Sequence, residues 1–206
     1  MSRPLIVGVG GTTRQNSSSE LALRAALRHA RAAGAETAIF TGAELNLPMY
    51  GAEDDSRTGA VTRYIEALRR SDGVILASPG YHGSISGLLK NALDYIEDLR
   101  DDAAPYLDGR AVGCIVSAYG AQAMGTTLSA MRSIVHALRG WPTPMAAAFS
   151  AVTPVFDADG QCVDPAVDRQ FRMIGEQVVE FAHMRANHRA GARDLAAAAS
   201  LKVACG

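Results

Sequence analysis

The sequence predicts an α/β fold in which one parallel, five-stranded sheet is covered by helices on both faces. Three observations carry that expectation. Apolar runs of strand length alternate along the chain with longer, helix-like stretches. The short runs are apolar at nearly every position, as strands buried on both faces are, rather than at every second one. The 206 residues, 48% of them hydrophobic and 20% charged, suit one domain of ordinary size with a substantial core.

Taken in order, Leu5-Ile6-Val7-Gly8-Val9 is the first strand and runs out into glycines. The polar stretch 10–19 follows, then a helix marked by Leu21, Leu23, Ala25, Ala26, Leu27 and Ala30 that stops at Gly34. Thr37-Ala38-Ile39-Phe40-Thr41 is a weaker second strand, and residues 42–58, with Pro48 and several carboxylates, form a loop. Val61, Ile65 and Leu68 share one face of a helix that ends before Asp72-Gly73. Val74-Ile75-Leu76-Ala77-Ser78 is the third strand, broken by Pro79-Gly80. The next helix places Ile85, Leu88, Leu89, Ala92, Leu93, Ile96 and Leu99 at helical spacing. Residues 111–118 read as strand four, 127–138 as a helix, 145–152 as strand five and 166–184 as the last long helix. Right-handed crossovers leave few topologies for such a chain. Five strands suit the flavodoxin-like order 2-1-3-4-5, a three-layer sandwich. The domain then spans 1–185, and 186–206 is a tail, either a flexible end or an oligomer arm.

Charge and composition exclude several functions. Lys and Arg total 20 against 21 Asp and Glu, a formal charge of -1, so no basic excess exists to hold nucleic acid or an anionic membrane surface. No apolar run approaches the roughly 18 residues of a membrane span, and the first residues lack the apolar stretch of a secretory signal. Cys114, Cys162 and Cys205 are widely spaced and form no CxxC pair. Cys114 lies inside an apolar run as a small core residue, and a reducing cytoplasm is the expected compartment.

Ligands of an open parallel sheet sit beyond the carboxyl ends of its strands, where the strand order reverses. That rule selects residues 10–19, 79–87 and 117–126, which are also the most polar or Gly-rich of the strand-to-helix loops. In the first, free N–H groups at a helix N-terminus combine with the hydroxyls of Thr12, Ser17, Ser18 and Ser19 and the guanidinium of Arg14. This donor set suits one terminal phosphate gripped from several sides; the purely structural alternative is that Ser19 caps the helix. Gly8-Val9-Gly10-Gly11-Thr12-Thr13 has Thr13 where a dinucleotide GxGxxG wants its last glycine, and GxxxxGK[ST] is absent from this loop. In the second loop, Gly80, Gly83 and Gly87 permit close backbone approach, and Tyr81 and His82 supply flat rings against which a planar heterocycle could stack. Ser86 has Ser84 two residues before it, so the GxSxG nucleophile elbow fails. The third loop, from Ser117 through Tyr119 and Gly120 to Gly125, has a similar character.

The first two loops resemble those of the NAD(P)H-dependent FMN reductase family, flavodoxin-like flavoenzymes that include quinone, azo-dye and chromate reductases. Residues 11–19 are similar to the family's GSxRxxS phosphate loop, with Thr for Ser. Residues 78–94, SPGYHGSISGLLKNALD, are close to its SPxYxGSxxGxLKNALD signature, and Leu47-Pro48-Met49-Tyr50 resembles its loop after strand two. The resemblance covers roughly residues 5–150. It implies that Thr12, Arg14, Ser17 and Ser19 hold an FMN phosphate. It further implies that Pro79, Gly80, Tyr81, His82, Gly83 and Ser84 line the isoalloxazine, with Ser117 and Gly120 on its other side. NAD(P)H would be the reductant and free flavin, a quinone or a similar small molecule the acceptor, with the flavin carrying the chemistry and no catalytic side chain required. Relatives often carry a larger side chain where Gly80 stands, and Asn where His82 stands. The family also implies a homodimer or a dimer of dimers built on the helix starting near Ser86, whose apolar positions exceed what one core face needs.

Other features read as structural. Asp157-Ala158-Asp159-Gly160 is an Asp-Gly turn rather than a calcium loop. His183 and His188 do not share a helix face well enough for a metal, and Lys90 and Asp94 pair along their helix. Two further functional readings stay open on the residues alone. One is a flavodoxin-like electron carrier without nicotinamide turnover, although such carriers are usually strongly acidic. The other is a nucleotide-binding regulator with a vestigial site.

Overall fold

The computed structural model describes residues 3–53 and 56–204, with side chains as far as residue 192; Cys205 lies outside the described residues. Strands β1 (Leu5–Gly10), β2 (Glu36–Thr41), β3 (Gly73–Pro79) and β4 (Ala111–Ala118) pair in parallel in the order β2-β1-β3-β4. The fifth position beside β4 is shared by two short strands, β5 (Trp141–Pro142) and β6 (Ala147–Ser150), both parallel to it. Helices α1 (Ser18–Ala32) and α5 (Pro165–Ala204) cover one face. Helices α2 (Gly59–Arg70), α3 (Gly87–Asp94) and α4 (Ala121–Ala137) cover the other, with a 3-10 turn at Tyr95–Leu99 continuing α3. The predicted flavodoxin-like order and three layers are therefore present.

The uninterrupted apolar runs have a direct cause. Along β3, Val74 and Leu76 enter the core under α2 to α4, while Ile75 and Ala77 enter the core under α1 and α5. Val7 and Ile6 divide between the two cores in the same way on β1. A strand with helices on both sides has no wet face, so period-two alternation disappears. Cys114 is part of this interior, where burial pushes its thiol up to about 12.

Four elements differ from expectation. The predicted strand 145–152 shortens to Ala147–Ser150, and the stretch expected to be a link into it supplies a second short strand, Trp141–Pro142; Pro142 and Pro144 cannot supply ladder N–H groups, so the two do not join. The intervening carbonyls of Thr143 and Pro144 turn instead to Arg132 Nη2, at 3.2 and 3.1 Å. Helix α4 starts at Ala121 instead of 127, since Ala121, Gln122, Ala123 and Met124 are good helix formers and Gly125 packs against nothing. Helix α5 continues to Ala204, past the predicted stop at 184. The apolar residues after Ser86 are not surplus: Leu89, Leu93, Tyr95, Ile96 and Leu99 are all buried in this chain's own core. That removes the argument by which the helix pointed to an interface.

Smaller expectations hold. Lys90 Nζ lies 2.6 Å from Asp94 Oδ1. Residues 157–160 turn with Gly160 at φ 74°, its N–H on the Asp157 carbonyl. Arg110 closes the far end of α2, donating through Nη2 to Arg69 O at 3.0 Å and through Nε to Ser71 O at 2.9 Å.

Helix α5 crosses α1 closely enough that a Cβ on Gly175 would lie 2.8 Å from both the Ala26 carbonyl oxygen and the Ala30 nitrogen. Backbone atoms cannot yield as a side chain can. Gly175→Ala is expected to destabilise the fold by about 1–3 kcal/mol through overpacking, read as a lower urea midpoint at unchanged slope. A midpoint equal to that of the parent chain would refute the close crossing.

Candidate functional site

At the carboxyl edge of the sheet β1 ends beside Ala77 of β3, and the loop after it peels away with Gly10 at φ 147° and Gly11 at φ 90°. Only glycine fits at residue 10, where a Cβ would collide with the Ala77 carbonyl oxygen. The same carbonyl accepts the Gly11 N–H at 3.1 Å. Thr12 Oγ1 then accepts the Arg14 N–H at 3.1 Å, folding the loop on itself.

Ser17, not Ser19, caps α1: its hydroxyl accepts the Glu20 N–H at 3.4 Å. Ser19 lies in the first turn, its hydroxyl 3.4 Å from that of Ser17, and both serines are buried. The Ser18 and Ser19 amides have no partner among the described residues, as expected of a first helical turn. The nearest carboxylate, Glu20, is held by Arg24 at 2.8 and 3.0 Å and by the Asn16 N–H at 3.1 Å, which offsets its negative charge. The Arg14 side chain is exposed and makes no hydrogen bond or ion pair among the described residues. Free amides, hydroxyls and an uncommitted guanidinium are a donor set whose chemistry suits an anionic group.

The second loop lies one strand further along, where Pro79 is in register with Ser117 of β4. It is a tight hairpin. Tyr81 and Ser84 exchange both backbone bonds, at 2.9 and 3.0 Å, around His82 at φ 52° and Gly83 at φ 83°. Tyr81, His82 and Ser84 are exposed. Three contacts fix the turn from beneath: Gly80 N–H to Ser117 O at 2.8 Å, Ser86 N–H to Ser78 Oγ at 2.9 Å, and Thr127 Oγ1 to Ser84 O at 3.3 Å. A Cβ on Gly80 would lie 2.9 Å from Ala118 Cβ and 3.0 Å from Thr127 Oγ1, so the larger side chain of relatives has no room here. The third loop shrinks to Tyr119 and Gly120, and Gly120 caps α4 without a side chain. Ser117 is buried within β4.

The loop after β2 is tied to the same region through α3. Asn91 accepts the Tyr50 N–H at 2.8 Å and donates to Pro48 O at 2.9 Å, while Tyr95 OH donates to Pro48 O at 3.1 Å. Arg57 spans the Tyr50 and Tyr95 rings and pairs with Asp98 at 2.7 and 2.9 Å; that pairing raises its pKa above the ordinary value. Burial, then the carboxylates of Asp98 and Glu97, push the Tyr50 phenol up.

Topology thus gathers the predicted residues at one edge of the sheet, with the anion loop and the Tyr81–Ser84 turn on neighbouring strands. Ser117 is recessed below them, and Ser17 and Ser19 are covered. Sequence reasoning left out Met49 and Tyr119, 84% and 80% exposed, which stand with Tyr81 as unpaired apolar groups on strand-end loops. It also left out Thr127, whose role depends on a fold contact. The signal for Tyr119 was its place immediately after a buried strand. A cavity of about 620 Å3 between Arg132, His136 and Trp141 lies at the opposite, amino edge, where Trp141 pairs with Ala111, and takes no part in this site.

Asn91→Ala leaves the Tyr50 N–H and Pro48 carbonyl without their side-chain partner. The expected cost is about 1–3 kcal/mol, with faster limited proteolysis in residues 46–58. Unchanged stability and cleavage would mean that the loop holds itself.

Known proteins bear on this geometry in two ways. Among solved structures, a flavoenzyme NAD(P)H:(acceptor) oxidoreductase from Paracoccus denitrificans superposes with a TM-score of 0.65 at 18% identity, covering 88% of this chain and 98% of that one. A WrbA-like flavodoxin from Agrobacterium tumefaciens gives 0.62 at 17%, covering 88% and 99%; these likenesses establish the fold. In sequence, the NADPH-dependent FMN reductase ArsH of Shigella flexneri is 26% identical over 89% of this chain and 71% of its own length. An FMN-dependent NADPH-azoreductase of Staphylococcus aureus is 28% identical over 83% and 91%. The family model for NADPH-dependent FMN reductase matches residues 4–153, a span containing every loop described above, and the chain belongs to that family.

Proposed function

We propose that the chain binds FMN at the carboxyl edge of its sheet and uses NADPH or NADH to reduce a small acceptor such as free flavin, a quinone or an azo compound. The observation that supports this most is the donor set at the start of α1, free Ser18 and Ser19 amides beside an uncommitted Arg14, one strand away from an exposed, rigid Tyr81–Ser84 turn. That set fits a phosphate monoester, and the turn fits the edge of a flat ring system.

The amides and Thr12 would orient the phosphate, and Arg14 would close over it. Bound there, FMN would supply the redox chemistry, taking a hydride from nicotinamide and delivering reducing equivalents to the acceptor. The residues act by positioning. Pro79 through Ser84, anchored by Ser78 and Thr127, would hold one edge of the ring, and the Gly120 end of α4 would bound its other side. Tyr81, Tyr119 and Met49 would leave an open stacking surface that reductant and acceptor occupy in turn.

A homodimer is part of this reading, with the second copy bordering the exposed rim and leaving its stacking surface open. A cytoplasmic setting accords with the free thiols. The electron-carrier reading is less favoured by a net charge of -1.

Two measurements test the proposal. Anaerobic addition of NADPH to the FMN-loaded protein should bleach the flavin within seconds, and an acceptor panel should then restore its colour; no bleaching by either nicotinamide leaves a carrier. Arg14→Gln should weaken FMN binding by about 10–100-fold, the loss of one charge-assisted hydrogen bond, while binding of riboflavin, which lacks the phosphate, stays unchanged. Equal loss for both ligands would place the phosphate elsewhere.

A further inference from the structure

At the edge of the sheet remote from these loops, the segments entering β3 and β4 meet α5 around a cavity of about 230 Å3. Its charged lining is Arg69, Arg70, Arg110, Arg185 and Arg189 against a single carboxylate, Asp72. The chain as a whole carries a formal charge of -1, so this excess is local and repels itself.

The arginines are not equivalent. Arg69 is committed to Glu66 at 2.8 Å and Asp102 at 2.9 Å. Arg110 is 7% exposed and spends four of its five N–H groups on the carbonyls of Ser71, Arg69, Tyr106 and Asp108, so it contributes mainly its charge. Burial, then the neighbouring Arg189 charge, lower its pKa, while Asp72, Asp108 and Asp102 oppose that shift. Asp72 has one oxygen on the Leu5 N–H at 2.9 Å, and Arg70 is exposed.

Arg185 and Arg189 stand apart. Among the described residues neither makes a hydrogen bond or ion pair, and Arg185 Nε is sealed from solvent there without a partner. Four residues apart on α5, both side chains converge on one turn: a Cβ on Gly109 would lie 2.9 Å from Arg185 Nη2 and 3.1 Å from Arg189 Nη2. Gly109 itself is at φ 72°, so the turn presents bare backbone to the two guanidinium groups.

We propose that Arg185 and Arg189, backed by the fixed charge of Arg110, bind a small tetrahedral oxyanion: phosphate, or the phosphate group of a phosphomonoester. Two unpaired forks aimed at one point match the several acceptor oxygens of such a dianion. The cavity falls below the roughly 300–1,000 Å3 of sites for larger ligands, which favours a small anion over a whole nucleotide. Binding would relieve the repulsion that the empty cluster carries, linking ligand to stability. The site is on the opposite edge from the Arg14 loop and does not depend on the proposed redox function.

Thermal unfolding with excess FMN, which keeps the Arg14 loop engaged, tests the proposal at matched ionic strength. Inorganic phosphate should raise Tm saturably, by roughly 5–10 °C at about a hundredfold excess over its Kd, whereas chloride should not. Glycerol phosphate in a parallel series separates the two sources: a response to phosphate alone means the free ion, and a tighter response to the ester means a phosphomonoester. Arg185→Gln with Arg189→Gln should abolish the response without altering the FMN Kd; if the double variant fails to fold, each single variant should weaken phosphate binding by about tenfold. A response equalled by chloride, or undiminished in these variants, would overturn the proposal, as would a phosphate-soaked crystal with no density between the two guanidiniums and Gly109.

Discussion

Where β1 ends, its backbone passes so close to β3 that no side chain fits between them. Gly10 would drive a Cβ into the Ala77 carbonyl, and that carbonyl instead takes the Gly11 N–H at 3.1 Å. This contact decides where the first loop leaves the sheet, and so where α1 begins and which way its unpaired amides face. Because the strand order reverses between β1 and β3, the loops after them diverge to opposite faces and open a crevice there. A bulkier residue at position 10 would part the two strands at the point on which the crevice depends. The anion loop follows from this backbone constraint, and its hydroxyls and guanidinium elaborate it.

The second loop depends on the third. Gly80 is free of a side chain because α4 brings Thr127 and the Ala123 carbonyl against it while Ala118 of β4 lies on its other side, and Thr127 also bonds the Ser84 carbonyl. A shift of α4 would therefore move the Tyr81–Ser84 turn. The Lys90-Asn91-Ala92-Leu93-Asp94 part of the signature has a related explanation. Asn91 faces the loop after β2 and satisfies both a carbonyl and an N–H of its backbone, with Tyr95 beside it. Two motifs far apart in sequence are one structural unit, and its function is to hold Met49 and Tyr50 at the rim of the site.

The strands were legible because burial on both faces leaves a mark that needs no knowledge of partners, as in the fully buried run of β3. The place of the first loop was legible for a similar reason: its glycines, serines and Arg14 mark a polar turn between a buried strand and a helix. Local information failed where two patterns compete. Tyr119-Gly120-Ala121-Gln122-Ala123-Met124-Gly125 looks like a glycine-bounded loop, yet Gly125 sits in α4 facing open space, where a glycine costs a helix only about 1 kcal/mol. Ser17 and Ser19 are equally good caps by composition, and the choice between them was made by Glu20, whose N–H meets Ser17 while its carboxylate holds the Asn16 N–H. The apolar surplus on α3 was misread because its partners, Tyr64, Val7 and the 3-10 turn, are remote in sequence.

Near-neutral charge overall conceals a separation that matters for function. At the carboxyl edge the positive groups are few and directed: Arg14 is uncommitted, Arg24 is used to offset Glu20, and Arg57 is bound to Asp98. On the proposed reading, discrimination there would come from geometry, because Tyr81, Tyr119 and Met49 expose stacking area but few polar groups. On that same proposed reading, a rigid turn beside an open stacking face would give a strict choice of cofactor and a loose choice of acceptor. At the amino edge the arrangement is reversed. Positive charge accumulates around a small, partly open space, with Arg110 tied down by backbone carbonyls and Arg185 Nε without a partner among the described residues. The small size of that space suits a compact, highly charged occupant better than a flat one, in keeping with the proposed anion.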